Sequence, residues 1–237
     1  MSLNGQRVLI IGGTSGIGRA VALAALGAGA SVHIGSSNSD RLSGALAQLG
    51  AGATGGEVDV RDEGSVAAFF SGAGSFDHLV YTAGDWARRK TKVGTGFDLQ
   101  DAQASFDTRF WGVFLSVQHA LPHLSATGSI TLTSGLYAHR PAKGTSLVTA
   151  QNGAVEHLAR GLALDLAPIR VNAVTAGFID TEAWSGMSDD MKQGVTAHQP
   201  LARPGLPAEV AEAYLYFMRA GYTTGQVSIV DGGGLFS

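Results

Sequence analysis

The residues that could most clearly do chemistry form a glycine-rich segment near the N-terminus, Gly12-Gly13-Thr14-Ser15-Gly16-Ile17-Gly18. The segment follows Arg7–Ile11, whose β-branched residues predict a strand, and it precedes apolar residues at helical spacing. Glycines let a backbone turn sharply and approach a diphosphate closely, while the first N–H groups of a helix present a positive dipole end. The strand, turn and helix together predict a dinucleotide-binding turn; an ordinary tight turn is the alternative.

The segment after the second predicted strand, Ser31–Gly35, indicates which dinucleotide this turn would hold. NAD is usually bound through an acidic residue about 20 positions after the glycines, which contacts the ribose hydroxyls. Ser36 and Ser37 occupy that place here, so there is room for a 2′-phosphate, and Arg41 could supply positive charge. These residues favour NADP(H).

Two alternatives concern the same segment. Ser36–Ser39 could cap the second helix, because Ser and Asn are preferred N-cap residues, and this role is compatible with cofactor binding by Ser36, Ser37 and Asn38. Asp40 could instead bind the ribose of NAD(H) if the loop shifts by a turn. NAD(H) is therefore the alternative cofactor.

Strand-like and helix-like runs alternate along the rest of the chain, which predicts a parallel sheet with helices on both faces. We expect a Rossmann-type α/β fold, with a doubly wound seven-stranded parallel sheet in a three-layer α/β/α sandwich, three helices on each face, and a single domain over residues 1–237. Thr181–Arg203 lacks a sheet pattern and predicts a lid or substrate loop. The remaining predicted strands are Glu57–Val60, His78–Thr82, Ser129–Ser134, Ile169–Val174 and Gln226–Val230, and the predicted helices include Ser39–Leu49, Ser65–Phe70, Ala102–Leu121 and Leu147–Leu166.

The composition argues against several classes of protein. A formal net charge of −3 argues against a nucleic-acid partner. The chain has no cysteine, which excludes disulfides and thiolate metal ligands, and we predict no metal site. The N-terminus has no basic and apolar leader and no apolar run reaches membrane length, so we expect a cytoplasmic protein without a membrane partner.

Several ordered motifs resemble the short-chain dehydrogenase/reductase family over nearly the whole chain. The spacing Gly12-x-x-x-Gly16-x-Gly18 resembles the family's glycine motif, and Ala176-Gly177-Phe178-Ile179-Asp180-Thr181 resembles its Pro-Gly-x-x-x-Thr segment beside the nicotinamide. Asp59-Val60 is similar to the family's adenine-contacting pair, and Thr82-Ala83-Gly84 to the end of its Asn-Asn-Ala-Gly turn. The resemblance implies cofactor contacts from Asp59, Val60, Ala83, Gly84, Gly177, Ile179 and Thr181.

The resemblance also indicates altered catalytic positions. The family uses a Ser to hold the substrate oxygen, a Tyr to give the proton, a Lys that lowers the Tyr pKa and binds the ribose, and an Asn that supports a water relay. Its Tyr-x-x-x-Lys pair falls on Val148 and Asn152, and its Asn falls on Arg109. Val148 cannot donate a proton, and Asn152 cannot lower the pKa of a phenol, although it could still bind ribose hydroxyls.

Ser134 and Tyr137 are candidates to replace the missing groups. Ser134 ends the fifth predicted strand where the family's serine lies, although the family's spacing counted back from Val148 reaches Gly135. A structural strand-end hydroxyl is the alternative for Ser134. Tyr137 lies on the following loop, together with His139, and could donate the proton; a packing or surface role is its alternative.

Arg109 suggests a different chemistry from that of Ser134 and Tyr137. Together with Asn152, these are the four candidate catalytic residues. A fixed cation near the nicotinamide could recognise an anionic substrate or polarise a carbonyl. The alternative for Arg109 is an ion pair with Asp85 or Asp107.

These features lead to two hypotheses about function. The first is an NADP(H)-dependent oxidoreductase with a non-standard active site that acts on a carbonyl or alcohol of a small-molecule substrate. The second is a catalytically silent dinucleotide-binding protein, either a sensor or a partner subunit. The resemblance further implies a homotetramer or homodimer, assembled through the two long helices.

Overall fold

A seven-stranded, all-parallel sheet forms the centre of the computed structural model, which describes residues 2–84 and 96–237. The strand order is β3-β2-β1-β4-β5-β6-β7, so the order reverses between β1 and β4, where ligands bind in sheets of this kind. The predicted Rossmann-type doubly wound fold is thereby confirmed. The strands are β1 (Arg7–Ile11), β2 (Ser31–Ser36), β3 (Ala53–Glu57), β4 (Phe76–Tyr81), β5 (Leu124–Gly135), β6 (Arg170–Ala176) and β7 (Val227–Val230).

Helices cover both faces of this sheet. One core packs α1, α2 and α8 against the sheet, and the other packs α3, α5 and α6 against the opposite face, as the prediction of three helices on each face required. None of the described helices is long and apolar enough to cross a membrane. The helices are α1 (Gly16–Gly27), α2 (Ser39–Leu49), α3 (Glu63–Ala73), α4 (Leu99–Phe106), α5 (Gly112–Ala120), α6 (Ser146–Asp165), α7 (Asp189–Thr196) and α8 (Pro207–Arg219).

The central strands are apolar throughout because both of their faces are buried. In β1, Leu9 and Ile11 face the α3/α5/α6 core, while Val8 and Ile10 face the α1/α2/α8 core. All four residues are at most 1% exposed. Strands buried on both faces read as continuous β-branched runs rather than alternating ones, which explains why β1 and β2 were easy to predict.

The predicted third strand, Glu57–Val60, is wrong, because β3 covers Ala53–Glu57. Gly55 and Gly56 lie inside β3, and glycine weakens a strand pattern in a sequence. The close packing needs glycine, since a Cβ on Gly55 would lie 2.8 Å from the carbonyl oxygen of Ile34. Asp59 and Val60 consequently follow the strand, at the edge of the sheet where ligands bind.

Two helix predictions also need correction. The predicted helix Ala102–Leu121 is α4 and α5 joined by a π-helical turn, Asp107–Trp111, which contains Arg109. The predicted lid Thr181–Arg203 contains a 3₁₀ turn, Glu182–Trp184, and α7.

Helix α8 is not among the elements predicted from the sequence. Pro207 occupies its first turn, and the Glu209 carboxylate accepts a hydrogen bond from the N–H of Leu206 over 2.7 Å. These are ordinary helix-start signals. Val210 and Tyr214 are fully buried against the sheet, so packing stabilises the helix that the signals begin.

His78 makes the stability of this fold depend on pH. The side chain is 2% exposed in β4, its Nδ1 lies 2.8 Å from Ser129 Oγ, and burial lowers its pKa from 6.5 to about 4. An unfolded chain takes up a proton here below about pH 6.5, whereas the folded chain does not until the pH approaches 4. We therefore expect the free energy of unfolding to fall as the pH drops from 7 to 5, with the His78 contribution to this loss levelling off near pH 4.

Chemical denaturation of His78→Gln at pH 7 and pH 5 tests this expectation. The variant should lose less stability between the two pH values than the wild type does. Some dependence should remain, because burial also lowers the pKa of His33 to about 4. His198→Gln, which changes an exposed histidine, serves as the control and should keep the wild-type slope. Equal slopes for wild type and His78→Gln would contradict the argument.

Candidate functional site

The glycine turn lies where β1 and β4 end, at the reversal of the strand order. Gly12 has a φ of +88°, and its N–H donates to the carbonyl oxygen of Gly35 over 2.9 Å. A Cβ on Gly12 would lie 2.7 Å from the backbone nitrogen of Ala83. The turn after β1 therefore rests directly on the turn after β4, which brings Gly12 and Ala83 together.

Glycine is also required further along the turn. A Cβ on Gly18 would lie 2.2 Å from the carbonyl oxygen of Gly12, and Gly16 has a φ of +51°. The N-cap residue of α1, Ser15, makes no side-chain hydrogen bond to the first N–H groups of the helix. The backbone here forms a cradle that leaves no room for a Cβ, and the first N–H groups of α1 are not bonded by the side chain of the N-cap residue. These two features fit a bound diphosphate. Thr14 and Ile17 line the same turn.

An acidic side chain from a distant part of the chain contacts this cradle. Glu182 Oε2 accepts a hydrogen bond from the Gly16 N–H over 2.9 Å, and Glu182 Oε1 lies 2.5 Å from Arg19 Nη2. Thr181 is adjacent, since a Cβ on Gly16 would lie 3.3 Å from Thr181 Cγ2. The turn therefore already contacts an anionic group in this structure.

The end of β2 has the hydrogen bonds of a helix cap. Asn38 Oδ1 accepts from the Arg41 N–H over 2.8 Å, so the predicted capping role is present at Asn38. The Asn38 N–H in turn donates to Ser36 Oγ over 3.2 Å. Arg41 and Ser37 are exposed, as a contact with a 2′-phosphate would require.

Asp59 and Val60 follow β3 with different environments. The Asp59 carboxylate is held by Arg61, whose Nε and Nη2 lie 2.8 and 2.6 Å from its oxygens, and this pairing lowers the Asp59 pKa. Val60 is 6% exposed and lies against α5, where a Cβ on Gly112 would come within 2.9 Å of it. Asp59 can therefore meet a polar group, while Val60 offers an apolar wall.

The segment after β6 closes the other side of the site. Gly177 passes so close to Asp231 that a Cβ would lie 2.6 Å from its Cα. Ile179 is 5% exposed and forms a β-bridge with Gly205. These contacts direct Thr181 toward Gly16, so the predicted contributors Gly177, Ile179 and Thr181 share the edge with the glycine turn.

Arg109 lines a small cavity beneath the turn after β4. It is 7% exposed, and a Cβ on Gly84 would lie 2.9 Å from its Nη2, so the guanidinium lies against the Gly84 backbone. The predicted alternative of an ion pair with Asp85 lies outside the described residues. The cavity is lined by Tyr81, Thr82, Ala83, Arg109, Thr133, Gln151, Asn152 and Val155.

The phenol of Tyr81 is not available as an acid in this cavity. It donates a hydrogen bond to the carbonyl oxygen of Thr108, and burial raises its pKa well above the usual range. Its proton is held by the backbone, so its role is to fix the π-helical turn that carries Arg109.

The Asn152 side chain contacts the backbone at the end of β5. Its Nδ2 donates to the carbonyl oxygen of Gly135 over 3.2 Å, and it is 1% exposed. Val148, one turn earlier on α6, is half-buried. This part of α6 therefore carries an apolar side chain at Val148 and an amide at Asn152, and neither group can act as an acid.

Ser134 points away from that cavity. It is fully buried, and its Oγ donates to Glu156 Oε1 over 3.0 Å and lies 3.2 Å from the carbonyl oxygen of Asn152. Thr175 Oγ1 and His139 Nε2 contact the same carboxylate at 2.6 and 3.0 Å. This geometry supports the structural alternative for Ser134, as a member of a polar cluster around Glu156.

Tyr137 lies on the 3₁₀ turn Leu136–Ala138 and is 41% exposed. Among the described residues no hydrogen bond holds its phenol, whereas the nearby His139 contacts the Glu156 carboxylate. Tyr137 therefore remains the candidate proton donor that geometry leaves open to solvent or substrate.

Four residues near this site were not predicted from the sequence: Glu182, Arg19, Gln151 and Glu156. Gln151 joins α6 to α4, because its Nε2 donates to Ser105 Oγ over 2.7 Å. Glu156 sits on α6 at helical spacing among apolar residues, and a buried acid there could have been noticed. Glu182 contacts Gly16 across 166 positions, and no local pattern signals that contact.

Comparison with known proteins gives consistent results. A family model described as enoyl-(acyl carrier protein) reductase matches residues 12–234. The short-chain dehydrogenase/reductase ATR9 of Stachybotrys chlorohalonatus is 36% identical, over 98% of this chain and 98% of its own length. The cis-4-hydroxycyclohexanecarboxylate dehydrogenase of Sinomonas cyclohexanicum is 36% identical, over 96% of each chain. A crystal structure of a small-chain dehydrogenase in complex with NADPH superposes with a TM-score of 0.83 at 37% identity, covering 98% of this chain and 99% of that one.

The close contact at Gly18 gives a prediction about stability. Gly18→Ala should lower the free energy of unfolding by about 1–3 kcal/mol, because the new Cβ forces the Gly12 carbonyl to move. Gly44→Ala is the matched control: Gly44 lies in α2 with open space around it, and the change should be neutral or raise stability by up to about 1 kcal/mol. Urea denaturation of both variants measures the difference. Equal effects at the two positions would show that the turn is not packed as described.

Proposed function

The chain belongs to the short-chain dehydrogenase/reductase family of NAD(P)-dependent oxidoreductases, and from that premise we propose that it is an NADP(H)-dependent enzyme acting on a carbonyl or alcohol through a non-standard active site. The single observation that carries the proposal is the backbone cradle of Gly12, Gly16 and Gly18, which rests on Ala83 at the reversal of the strand order. A cradle of this shape, with helix N–H groups at its base, suits a diphosphate.

The preference for NADP(H) is supported by the end of β2. Ser36 and Ser37 are small at the place where an acidic residue would bind the ribose hydroxyls of NAD, and Arg41 is exposed nearby. The small-chain dehydrogenase that was crystallised with NADPH is similar to this chain over nearly the whole length of both. NAD(H) through Asp40 is the alternative.

A bound nicotinamide supplies hydride transfer to or from a carbon atom, and the chain must then hold the oxygen and move a proton. Arg109 is proposed to hold or polarise that oxygen, because a buried guanidinium at the cavity wall can donate hydrogen bonds to it. Asn152 is proposed to contact the cofactor ribose from the same wall. Tyr137, exposed on the adjoining turn, is the proposed proton donor.

The relatives' names support the substrate class. One relative is named for the oxidation of a ring hydroxyl, which is alcohol-to-carbonyl chemistry. We extend that class, although not that substrate, to this chain. We further propose a cytoplasmic homodimer or homotetramer. It would assemble through α6 and through the segment formed by α4, the π-helical turn and α5, which correspond to the two long helices that the resemblance assigns to assembly.

One observation favours the second candidate, a catalytically silent binding protein. By the family's spacing, its tyrosine and lysine fall on Val148 and Asn152 and its serine falls on Gly135, one residue after Ser134. Asn152 donates a hydrogen bond to the carbonyl oxygen of Gly135. Comparing the wild type with Val148→Tyr/Asn152→Lys on a panel of ketones, aldehydes and quinones separates the two. The silent-protein hypothesis requires two results. The wild type should bind NADPH without oxidising it with any compound of the panel, and the double variant should gain turnover.

A first prediction concerns cofactor choice. Arg41→Ala should weaken NADPH binding by about tenfold and leave NADH binding nearly unchanged, because only NADPH has the 2′-phosphate that the guanidinium would pair with. Isothermal titration calorimetry with both nucleotides measures this. Asp40→Asn is the control from the neighbouring position: NADPH affinity should not fall. If Asp40→Asn weakens NADH and Arg41→Ala changes nothing, the cofactor is NAD(H).

A second prediction concerns the chemical step. On the substrate that the panel identifies, Arg109→Gln should lower kcat/KM by about a hundredfold or more, as loss of one preorganised donor typically does. Arg109→Lys should recover only part of the loss, because an ammonium group lacks the planar fork of donors. Nucleotide affinity should stay within about twofold in both, which separates a catalytic loss from misfolding. Tyr137→Phe tests the proposed donor, and full activity of this variant would exclude Tyr137.

A further inference from the structure

Glu182 lies on the anion-binding end of α1, although it is 166 positions away from Gly16. Its carboxylate bridges two donors, the backbone N–H of Gly16 at 2.9 Å and the Arg19 guanidinium at 2.5 Å. Gly16 belongs to the turn proposed to hold the cofactor diphosphate. A diphosphate and the Glu182 carboxylate therefore require the same N–H group.

We propose that Glu182 is a built-in competitor of the cofactor diphosphate, and that it sets how tightly this chain binds its dinucleotide. The inference rests on the proposed function, because it assumes that the glycine turn binds a dinucleotide. The glycine motif itself does not require an acidic residue at position 182. The proposed role of Glu182 follows only from its tertiary contact with Gly16.

The local hydrogen bonds show that the carboxylate acts as a substitute cap. Ser15, the N-cap residue of α1, makes no side-chain hydrogen bond to the helix. A negative group at a helix N-terminus is stabilised by the free N–H groups and by the helix dipole. Glu182 supplies that charge in place of Ser15, so its removal leaves the cradle free for another anion.

Arg19 is held in position independently of Glu182. Its Nη1 also donates to Gln48 Oε1 on α2 over 3.2 Å. The guanidinium therefore stays near the turn when the carboxylate leaves. Because its Nη2 reaches an anion at the Gly16 N–H, Arg19 can pair with a phosphate at the same place.

The surroundings allow Glu182 to leave. Its side chain is 51% exposed, and it borders an open cleft of about 380 Å³ between α1, residues 180–182 and the start of α8. Asp180 and Lys192, 2.7 Å apart, tie the same segment to α7. Displacement of the carboxylate therefore moves a short, partly exposed turn rather than a core element.

The test is the affinity of Glu182→Gln for NADPH and for inorganic pyrophosphate, measured by calorimetry without substrate. Gln keeps the size of the side chain and loses the charge, so both ligands should bind about three- to tenfold more tightly than to wild type. Raising the salt concentration should shrink the difference, because the lost competitor is ionic. Asp190→Asn is the matched control, since it removes one negative charge from an exposed site in α7, and its affinities should equal those of wild type.

The outcomes separate this inference from the proposed function. If the wild type and Glu182→Gln bind NADPH equally tightly, Glu182 is not a competitor and the proposed function stands. If Asp190→Asn tightens binding as much as Glu182→Gln does, net charge is the cause and the inference is overturned. If neither the wild type nor Glu182→Gln binds any dinucleotide at millimolar concentration, the proposed function fails and the inference fails with it.

Discussion

The contact of one backbone turn with another, at the edge where the strand order reverses, is the constraint on which the rest of the structure depends. Gly12 lies against Ala83, and Gly18 lies against the Gly12 carbonyl, at distances that no side chain could occupy. This contact brings the ends of β1 and β4 together and aims the first N–H groups of α1 outward. Both cores of the sandwich serve to hold these two strands in register.

The opposite side of the site is formed by β5 and α6. Asn152 on α6 donates to the carbonyl oxygen of Gly135 at the end of β5, and Val148 lies one helical turn before Asn152. The ionisable residues nearby are used elsewhere, since the Glu156 carboxylate binds Ser134, Thr175 and His139 inside the fold. A buried carboxylate needs such partners, because leaving it unpaired would be costly. The polar cluster around Glu156 therefore stabilises the fold and supplies no proton donor for the proposed reaction.

Charged side chains lie around the glycine turn, and neither hydrophobic core needs them for its packing. Arg109 is buried beneath the Gly84 backbone, on a π-helical turn that Tyr81 holds from below. Insertions of this kind in helices are frequent at functional sites. On the other side, Glu182 and Arg19 meet at the start of α1. The affinity of the proposed anion site depends on where these charged side chains lie. Backbone dipoles contribute only modestly to anion binding, so one nearby carboxylate can oppose them.

The sequence alone determined the class of fold, the glycine turn and most strands, because these depend on local periodicity and on residues without side chains. Its spacing also predicts altered catalytic positions at Val148, Asn152 and Arg109, and this stays a prediction. It failed at β3, where Gly55 and Gly56 conceal a strand that close packing requires, and at α8, whose helix-start signals were overlooked. Only the tertiary structure decided that Ser134 points into α6, that Arg109 sits under Gly84, and that Glu182 reaches Gly16. The physical reason is that the direction of a side chain and the partner of a charge are set by elements far apart in the chain, whereas turns and strands are set by their own neighbours.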